Sequence, residues 1–213
     1  MTNNYLNTIQ ERGYLVLDKN SINLPTSLVH DIDSLFAKYR TNEESLFQTA
    51  RVHNMGSVSV NDNVEFSSLV EENENDPNWF QIWKSSPILD EDKNLVELYN
   101  SKIVDLIYGV IPSSMHYEFT CFRRGCGIKS HKDSNDDHNP NRLCVVLSYF
   151  SKDWKHEFGG TLILNETEEI VPNENTIVIL DFTKNNIPHE VSKVLVDKNR
   201  LSLTTFIDYK NKL

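Results

Sequence analysis

The sequence predicts a mainly β domain with helices, of the sandwich or jelly-roll type, with the helices packed on one side of a sheet. Three observations lead to this prediction. The chain has 213 residues, which corresponds to about one domain. Its second half consists of short apolar or alternating runs separated by turn residues. Its first half is dominated by polar loops and by stretches with the apolar spacing of amphipathic helices.

Strand patterns dominate the chain after about Met115. Turn residues such as Gly159-Gly160 and Pro172-Asn173 separate the runs, as expected between short strands. Many short strands divided by turns are typical of a sandwich or jelly roll. Another strand is predicted near the start, at residues 13–17, and the later strands are predicted at residues 117–123, 143–150, 161–165, 176–182, 189–194 and 201–207.

Two helices are predicted before this strand-rich half. Apolar residues recur at helical spacing from 27 to 39, and again from Leu95 to Ile107. For the second helix, Asp92 or Asn94 is the expected N-cap and Gly109 the expected end. We therefore expect one domain over residues 1–213, with helical support and a lid segment in 1–114 and the barrel core in 115–213.

Residues 42–91 form a long polar stretch between the two predicted helices. Three large aromatic residues, Trp79, Phe80 and Trp83, are embedded in it. A long stretch of this kind within one domain is often a functional loop or lid. The sequence therefore predicts that this segment forms a lid over a site.

Charge and hydropathy argue against several classes of partner. The formal net charge is −10, whereas nucleic acids and anionic membranes require a basic face. No apolar run approaches the roughly 18 residues that a membrane span needs, and the first residues lack the apolar stretch of a signal peptide. We expect a cytoplasmic protein without a membrane or nucleic-acid partner. The three cysteines include no CxxC pair, so we expect buried thiols rather than disulfides or zinc ligands.

A metal site is indicated by His131-Lys132-Asp133 and by a later histidine, His189. Residues at i and i+2 of an extended backbone project from the same face, so His131 and Asp133 are able to hold one ion. Two histidines and one carboxylate on one side of an ion form the facial triad of non-haem Fe(II) oxygenases. An isolated HxD is usually incidental, so the residues that accompany it matter.

The last predicted strand carries a polar face that includes a cation. Alternation places Arg200, Ser202 and Thr204 on one side of this strand. A polar face inside a barrel is costly unless it has a partner, and a guanidinium binds a carboxylate through two parallel hydrogen bonds. A dicarboxylate ligand would satisfy this face. The alternative from the residues alone is an exposed edge strand with Arg200 in water.

These stretches together resemble the prolyl 4-hydroxylase-like branch of the 2-oxoglutarate and Fe(II)-dependent dioxygenases. The resemblance extends from about residue 117 to 207, a little under half of the chain. Within that branch, residues 145–153 are especially similar to the oxygen-sensing prolyl hydroxylases. The matching motifs are Phe122-Arg123-Arg124-Gly125, His131-Lys132-Asp133, Leu147-Ser148-Tyr149-Phe150-Ser151-Lys152-Asp153-Trp154, Phe158-Gly159-Gly160-Thr161-Leu162, Pro188-His189-Glu190-Val191 and Arg200-Leu201-Ser202-Leu203-Thr204.

The resemblance implies a double-stranded β-helix, that is, a jelly-roll core with N-terminal helices packed outside. It implies Fe(II), 2-oxoglutarate and O2 as cofactor and cosubstrates, with hydroxylation of an unactivated C–H and release of succinate and CO2. His131, Asp133 and His189 correspond to its metal ligands and catalytic triad. The distal carboxylate of 2-oxoglutarate would be bound by Arg200, assisted by Tyr149 and Thr204.

Two departures concern the subfamily and the substrate. Phe122 stands where many relatives have a tyrosine near the cosubstrate, and Lys193 stands where many have a proline. A halogenating relative would lack the carboxylate that Asp133 supplies. A nucleic-acid demethylase would carry a second arginine at position 206, which is Phe206. A metal-binding jelly-roll module or sensor without turnover would not need the Arg200 face.

The motifs do not select the substrate. Peptidyl proline, a free amino acid and a small metabolite all stay open, as does the oligomeric state. Loops on a rigid scaffold usually determine specificity, so we expect residues 42–91 to contact the substrate. Within this segment the candidates are Arg51, Trp79, Phe80 and Trp83. The alternative is that these aromatic side chains only pin the segment to the core.

Overall fold

Two antiparallel sheets form the core of the protein. The structure is a computed structural model, and it describes residues 4–52, 56–59, 82–133, 141–184 and 186–210. The larger sheet has the strand order β1-β10-β7-β12-β5-β4-β2-β3, and the smaller has the order β6-β11-β8-β9. The strands are β1 (Tyr14–Asp18), β2 (Thr49–Val52), β3 (Gly56–Ser59), β4 (Ile82–Ser86), β5 (Ser114–Phe122), β6 (Ile128–His131), β7 (Arg142–Tyr149), β8 (Leu162–Leu164), β9 (Glu168–Ile170), β10 (Thr176–Asp181), β11 (His189–Val191) and β12 (Arg200–Asp208).

Four α-helices belong to the described residues, and three of them are longer than one turn. They are α1 (Asn4–Arg12), α2 (Thr26–Thr41), α3 (Glu43–Leu46) and α4 (Asp90–Tyr108). A short 3-10 helix at His156–Phe158 precedes the Gly159-Gly160 turn. No helix among the described residues has the length and apolar character needed to cross a membrane.

Strand alternation divides the core into two apolar layers. In β12, Leu201, Leu203 and Ile207 pack in the layer between the large sheet and the helices. The alternate residues Arg200, Ser202, Thr204 and Phe206 face the space between the two sheets. In an extended strand, successive side chains point to opposite faces, so one strand contributes to both layers. The mainly β, jelly-roll-like fold with helices that the sequence predicts is therefore confirmed.

The second long helix starts earlier than expected. The sequence predicts Asp92 or Asn94 as the N-cap, but α4 begins at Asp90 with Leu89 in the cap position and no side-chain cap hydrogen bond. Asp92 instead accepts a hydrogen bond from Lys38 Nζ at 2.9 Å, which ties α4 to α2. Acidic residues in the first turn also interact favourably with the helix dipole. The end of α4 is as predicted, with Gly109 in the left-handed conformation at φ 67°.

Strand pairing extends into the segment that the sequence describes as polar and lid-like. Within residues 42–91, β4 pairs with β5 and β2 pairs with β4, so this segment widens the large sheet. The alternating signal is weak there, because β4 has the sequence Ile-Trp-Lys-Ser-Ser and its buried positions include Lys84. Strands β6 and β9 are also absent from the sequence-based prediction, since each has only four or three residues.

Aromatic packing joins the helices to the large sheet. Phe36 of α2 stacks on Phe150 with ring centroids 4.8 Å apart and an interplanar angle of 15°. Its edge contacts Phe119 of β5 at 6.3 Å and Tyr99 of α4 at 6.5 Å. Each such pair adds to the stabilisation that burial of the ring already gives. Phe36 is therefore the central contact between the two long helices and the sheet.

We predict that Phe36→Ala lowers the free energy of unfolding by about 3–5 kcal/mol, because it leaves a cavity among these rings. Urea unfolding measured by circular dichroism tests this. The matched control is Leu98→Ala on α4, which removes a side chain that is 49 % exposed. An exposed position of this kind should change stability by about 0.5 kcal/mol or less. Equal losses in the two variants would contradict the prediction.

Candidate metal centre and cosubstrate pocket

The pairing of two short strands brings the predicted histidines together. Strands β6 and β11 are antiparallel, and His131 and His189 are direct partners in their register. Directly opposite residues of a sheet have neighbouring side chains on the same face. The two imidazole rings accordingly lie with their centroids 4.4 Å apart. The strand ladder thus sets the spacing of two candidate ligands that are far apart in sequence.

Asp133 lies two residues beyond His131, just past the end of β6. One carboxylate oxygen is 3.2 Å from His131 Nε2, and the other is 3.5 Å from His189 Nε2. The candidate ligand atoms of the three residues all lie within 4.8 Å of one another. In the described part of the chain, this is the one group of three or more histidine, cysteine or acidic side chains close enough to share an ion. Two imidazoles and one carboxylate suit Fe(II).

Backbone carbonyls orient both imidazole rings. His131 Nδ1 lies 2.8 Å from the carbonyl oxygen of Lys129, and His189 Nδ1 lies 3.4 Å from that of Ile187. A carbonyl only accepts hydrogen bonds, so Nδ1 of each ring carries the proton of this contact. Each Nε2 faces Asp133, where it donates a proton to the carboxylate or, once that proton is lost, offers its lone pair to an ion. This is the arrangement in which a metal-ligating histidine donates its other N–H to a fixed acceptor.

The charge state of Asp133 favours binding of a cation. Burial alone would raise its pKa, but the hydrogen bonds with His131 and His189 outweigh burial, and the pKa lies well below its ordinary value. For His131, burial lowers the pKa, but the hydrogen bond with Asp133 and the charge of that carboxylate together raise it by more. The net shift of the pKa of His131 is upward. The carboxylate is therefore ionised at neutral pH and available as a ligand. Since metal ligands must be deprotonated, an ion at this site would displace the proton between His131 Nε2 and Asp133.

Arg200 is buried beside this group and is held from several sides. Its side chain is at the start of β12, where only 2 % of the residue is exposed. Nε donates to the carbonyl of Gly160 at 2.7 Å, and Nη2 donates to the hydroxyl of Tyr149 at 3.2 Å. The guanidinium also lies over the ring of Phe122 at 4.8 Å and over that of Tyr149 at 4.9 Å. Burial lowers the pKa of Arg200, and Tyr149 partly offsets that effect.

The carboxylate that would normally neutralise such a buried cation is missing from the described residues. No ion pair of Arg200 with an acidic side chain occurs among them. Its two hydrogen bonds use Nε and Nη2, which leaves Nη1 for a further acceptor. A buried charge is costly unless it is paired, so this guanidinium is suited to an anionic ligand.

The candidate ligands and Arg200 line the same cavity. It has a volume of about 210 Å³ and lies between the two sheets. The inner face of β12 contributes Arg200, Ser202, Thr204 and Phe206, as the alternation predicts. Tyr149 is not in the cavity wall but behind Arg200, where its buried hydroxyl accepts the guanidinium hydrogen bond. The remaining lining residues are Trp83, Glu118, Thr120, Phe122, Ile128, His131, Asp133, Leu147, Leu162, His189 and Val191.

The substrate candidates from the sequence have different outcomes. Trp83 lines the cavity and stacks on Phe122, with centroids 5.8 Å apart and an interplanar angle of 18°. Arg51 is part of β2, where its Cα is the register partner of Trp83. Trp79 and Phe80 lie outside the described residues. Only Trp83 therefore has a side chain whose position supports a role at the site.

The sequence reasoning missed the carbonyl of Gly160, which binds Arg200. The sequence indicates Gly159-Gly160 as a turn and as part of a matching motif, but a backbone carbonyl has no residue type that indicates its role. Thr120 of β5 was also missed, although it shares the cavity wall with Ser202. The two residues are register partners on β5 and β12, and their hydroxyls are 2.6 Å apart.

Comparison with known families agrees with this geometry. Residues 117–208 match the family model of the 2OG-Fe(II) oxygenase superfamily. The matched residues, a little under half of the chain, are therefore similar to this superfamily. Enzymes of this family are dioxygenases that use Fe(II), 2-oxoglutarate and O2, and the His-Asp-His group is the matching set of candidate ligands. The prolyl 4-hydroxylase-like resemblance is thus confirmed.

Solved structures with the same fold cover almost the whole of this chain. A prolyl-4-hydroxylase from Pseudomonas putida is 15 % identical with a TM-score of 0.65, and the match covers 98 % of each chain. A prolyl hydroxylase from Trichoplax adhaerens, in complex with a peptide fragment of the hypoxia inducible factor oxygen degradation domain, is 18 % identical with a TM-score of 0.64. That match covers 97 % of this chain and 88 % of the other.

A 2OG-Fe(II) oxygenase family oxidoreductase from Burkholderia pseudomallei is 13 % identical with a TM-score of 0.61, and the match covers 98 % of this chain and 91 % of the other. Comparison with curated proteins finds no match. The identities are low, so the structural likeness concerns the fold, and the roles of individual residues follow from the geometry above.

We predict that His131→Ala and His189→Ala each abolish turnover and lower the affinity for a divalent ion. Each variant removes one of three candidate ligands from a site that needs all of them. Metal binding is measured by titration of the metal-free protein with Mn(II) or Fe(II) under anaerobic conditions. His156→Ala is the matched control, because this exposed histidine pairs with Glu169 away from the cavity. Normal ion affinity in both site variants would exclude this triad.

Proposed function

We propose that the chain is an Fe(II)- and 2-oxoglutarate-dependent hydroxylase, similar to prolyl hydroxylases, that oxidises an unactivated C–H and releases succinate and CO2. The proposal treats residues 1–213 as a single oxygenase domain whose strand-rich part, 115–213, carries the site. The observation that carries it is the buried Arg200, which has no acidic partner among the described residues and faces the same cavity as His131, Asp133 and His189.

Two groups of side chains in the cavity are complementary to the two ends of 2-oxoglutarate. The triad would hold an ion to which the 1-carboxylate and the 2-oxo group bind. At the 5-carboxylate end of the ligand, Arg200 would donate from Nη1, and a guanidinium favours two parallel hydrogen bonds to a carboxylate. Thr204 lies on the same face of β12 and lines the cavity. Tyr149 supports this end by holding Nη2 of Arg200.

The residues around the site suit an iron cofactor. When bound, iron together with 2-oxoglutarate supplies the O2 activation that breaks an unactivated C–H bond, while the protein orients and shields the reactants. His131, Asp133 and His189 would hold the ion on one side, and the opposite side would stay open to ligands. Apolar side chains such as Ile128, Leu162 and Val191 line the cavity and limit the access of water.

The substrate class proposed first is peptidyl proline, since the fold is that of prolyl hydroxylases and one such neighbour binds a peptide fragment. A free amino acid or a small metabolite is the alternative. Trp83 supports a substrate role for the segment 42–91, because its ring forms part of the cavity wall beside Phe122. Arg51 and Trp79 belong to the same proposal.

A mass-spectrometric screen tests the hydroxylase proposal. Purified protein is incubated with Fe(II), 2-oxoglutarate, O2 and pools of proline-containing peptides, free amino acids and small metabolites. The expected product gains one oxygen atom only when 2-oxoglutarate is present, and succinate forms at the same time. A protein that binds iron but forms no succinate with any pool would contradict the proposed activity.

We predict that Arg200→Ala raises the KM for 2-oxoglutarate by about 100-fold or more, because removing one partner of a buried ion pair costs on the order of 3–5 kcal/mol. The affinity for the metal ion should change little. Both are measured by the succinate assay and by anaerobic ion titration. Arg12→Ala is the matched control, since Arg12 pairs with Glu168 at the surface. An unchanged KM in Arg200→Ala would refute the assignment.

We also predict that Trp83→Ala and Arg51→Ala weaken binding of the substrate found in the screen while both retain 2-oxoglutarate binding. For Trp83, the expected loss reflects removal of one wall of the cavity. The KM for substrate and the Kd for 2-oxoglutarate are measured on the same preparations. Leu195→Ala serves as a control with an exposed apolar side chain outside the cavity. Normal substrate KM in both variants would remove this segment from the binding site.

A further inference from the structure

The turn formed by Gly159 and Gly160 is fixed by hydrogen bonds at both ends of one peptide unit. That unit is planar and contains the carbonyl of Gly159 and the N–H of Gly160. The carbonyl accepts a hydrogen bond from the indole Nε1–H of Trp154 at 2.8 Å. The N–H donates to the carbonyl of Lys193 at 3.3 Å. Both glycines have positive φ angles, +67° and +66°, which side chains disfavour.

The next carbonyl along the chain is the one that holds the cosubstrate arginine. Gly160 accepts the hydrogen bond from Arg200 Nε at 2.7 Å. A methyl group on Gly160 would lie 3.0 Å from Arg200 Cδ and 3.3 Å from Trp154 Cζ2. Trp154, Gly160 and Arg200 are therefore packed in direct succession, without space for an additional atom.

Trp154 is itself firmly held and lies outside the cavity. The residue is buried at 3 % exposure, and its indole ring packs edge-on against Phe158 with centroids 5.8 Å apart. Its backbone N–H donates to Asn173 Oδ1 at 2.7 Å. The ring is not part of the wall that the triad and Arg200 share. Any effect of Trp154 on the cosubstrate must therefore act through the turn.

We infer that Trp154 is a positioning residue for the cosubstrate: its indole N–H fixes the Gly159–Gly160 peptide, and the Gly160 carbonyl then orients Arg200 toward the 5-carboxylate of 2-oxoglutarate. This inference rests on the proposed function. Glycine has a wide range of backbone conformations, so the turn needs an external hydrogen bond to keep one of them. Without the indole donor, the Gly160 carbonyl turns away and Arg200 Nε loses its acceptor.

The inference is tested by a comparison of two ligands that differ only at the distal end. 2-Oxoglutarate and 2-oxobutyrate share the metal-chelating 2-oxo acid, but 2-oxobutyrate has no distal carboxylate. Their Kd values are measured by isothermal titration calorimetry on the Mn(II)-loaded protein without O2. In Trp154→Phe, which keeps an aromatic ring but lacks the N–H, the Kd of 2-oxoglutarate should rise about fivefold, the effect of one lost net hydrogen bond. The Kd of 2-oxobutyrate should be unchanged.

Steady-state kinetics give an independent readout of the same effect. In Trp154→Phe the KM for 2-oxoglutarate should rise by a similar factor, while kcat at saturating 2-oxoglutarate should match the wild type. Gly160→Ala is the second variant, because it disturbs Arg200 directly and should raise the ratio of the two Kd values in the same direction. Val178→Ala is the control, since it opens a cavity in the same apolar layer without touching the turn. It should lower the Tm and leave the ratio unchanged.

The outcomes separate this inference from the proposed function. If wild-type protein binds 2-oxoglutarate no more tightly than 2-oxobutyrate, the assignment of Arg200 to the distal carboxylate fails. If the wild type discriminates between them but Trp154→Phe keeps the same ratio of Kd values, the positioning role of Trp154 is refuted. A uniform loss for both ligands in Trp154→Phe would also refute it, because it would indicate a general disturbance of the site.

Discussion

The burial of one positive charge, that of Arg200, is the constraint on which the architecture of the site depends. The guanidinium is buried against two aromatic rings, and its neutral hydrogen-bond partners are a carbonyl and a phenol. Neutral partners satisfy its donors but do not neutralise its charge. The fold therefore keeps an unfavourable charge in its interior, and a dicarboxylate ligand would convert it into a favourable ion pair. In the same cavity, the ionised Asp133 lies beside two imidazoles and carries a negative charge, which a divalent cation would neutralise.

Strand alternation allows the large sheet to carry polar cavity residues on one face and apolar core residues on the other. In β12, the residues that face the helices are apolar at 201, 203 and 207, and they carry the burial that stabilises the sheet. The residues that face the smaller sheet carry the polar groups of the cavity. Helices α2 and α4 thus stabilise the outer face of the large sheet through contacts such as Phe36 with Phe150. The inner face of the sheet can therefore carry the polar residues of the cavity.

Much of the site could be predicted from the sequence, since local rules determine it. The alternation of β12 placed Arg200 and Thr204 on one face, and the HxD spacing placed His131 beside Asp133. The pairing of β6 with β11 could not be predicted from local pattern, because β6 has the sequence Ile-Lys-Ser-His and no apolar alternation. Its partner strand is distant in sequence, and the ladder between them is a tertiary interaction.

Other features escaped prediction for related reasons. The N-cap of α4 is Leu89, because Asp92 is engaged with Lys38 of the neighbouring helix, and such competition is invisible in one helix alone. Strand β4 escaped because it has few apolar residues and gains its strand character from pairing with β5. The hydrogen bond from Trp154 to the Gly159 carbonyl escaped prediction because a backbone carbonyl has no signature in residue type.

The packing of β4 explains how the site accommodates Phe122 where many relatives have a tyrosine. Trp83 of β4 stacks on Phe122, and the guanidinium of Arg200 lies over the rings of both Phe122 and Tyr149. A phenyl ring keeps the cation–π attraction that a phenol would give, and it loses only the hydroxyl. Tyr149 supplies a hydroxyl to the same guanidinium. Trp83, Phe122 and Arg200 therefore pack in succession, so a change in the packing of β4 reaches Arg200 through a single aromatic ring.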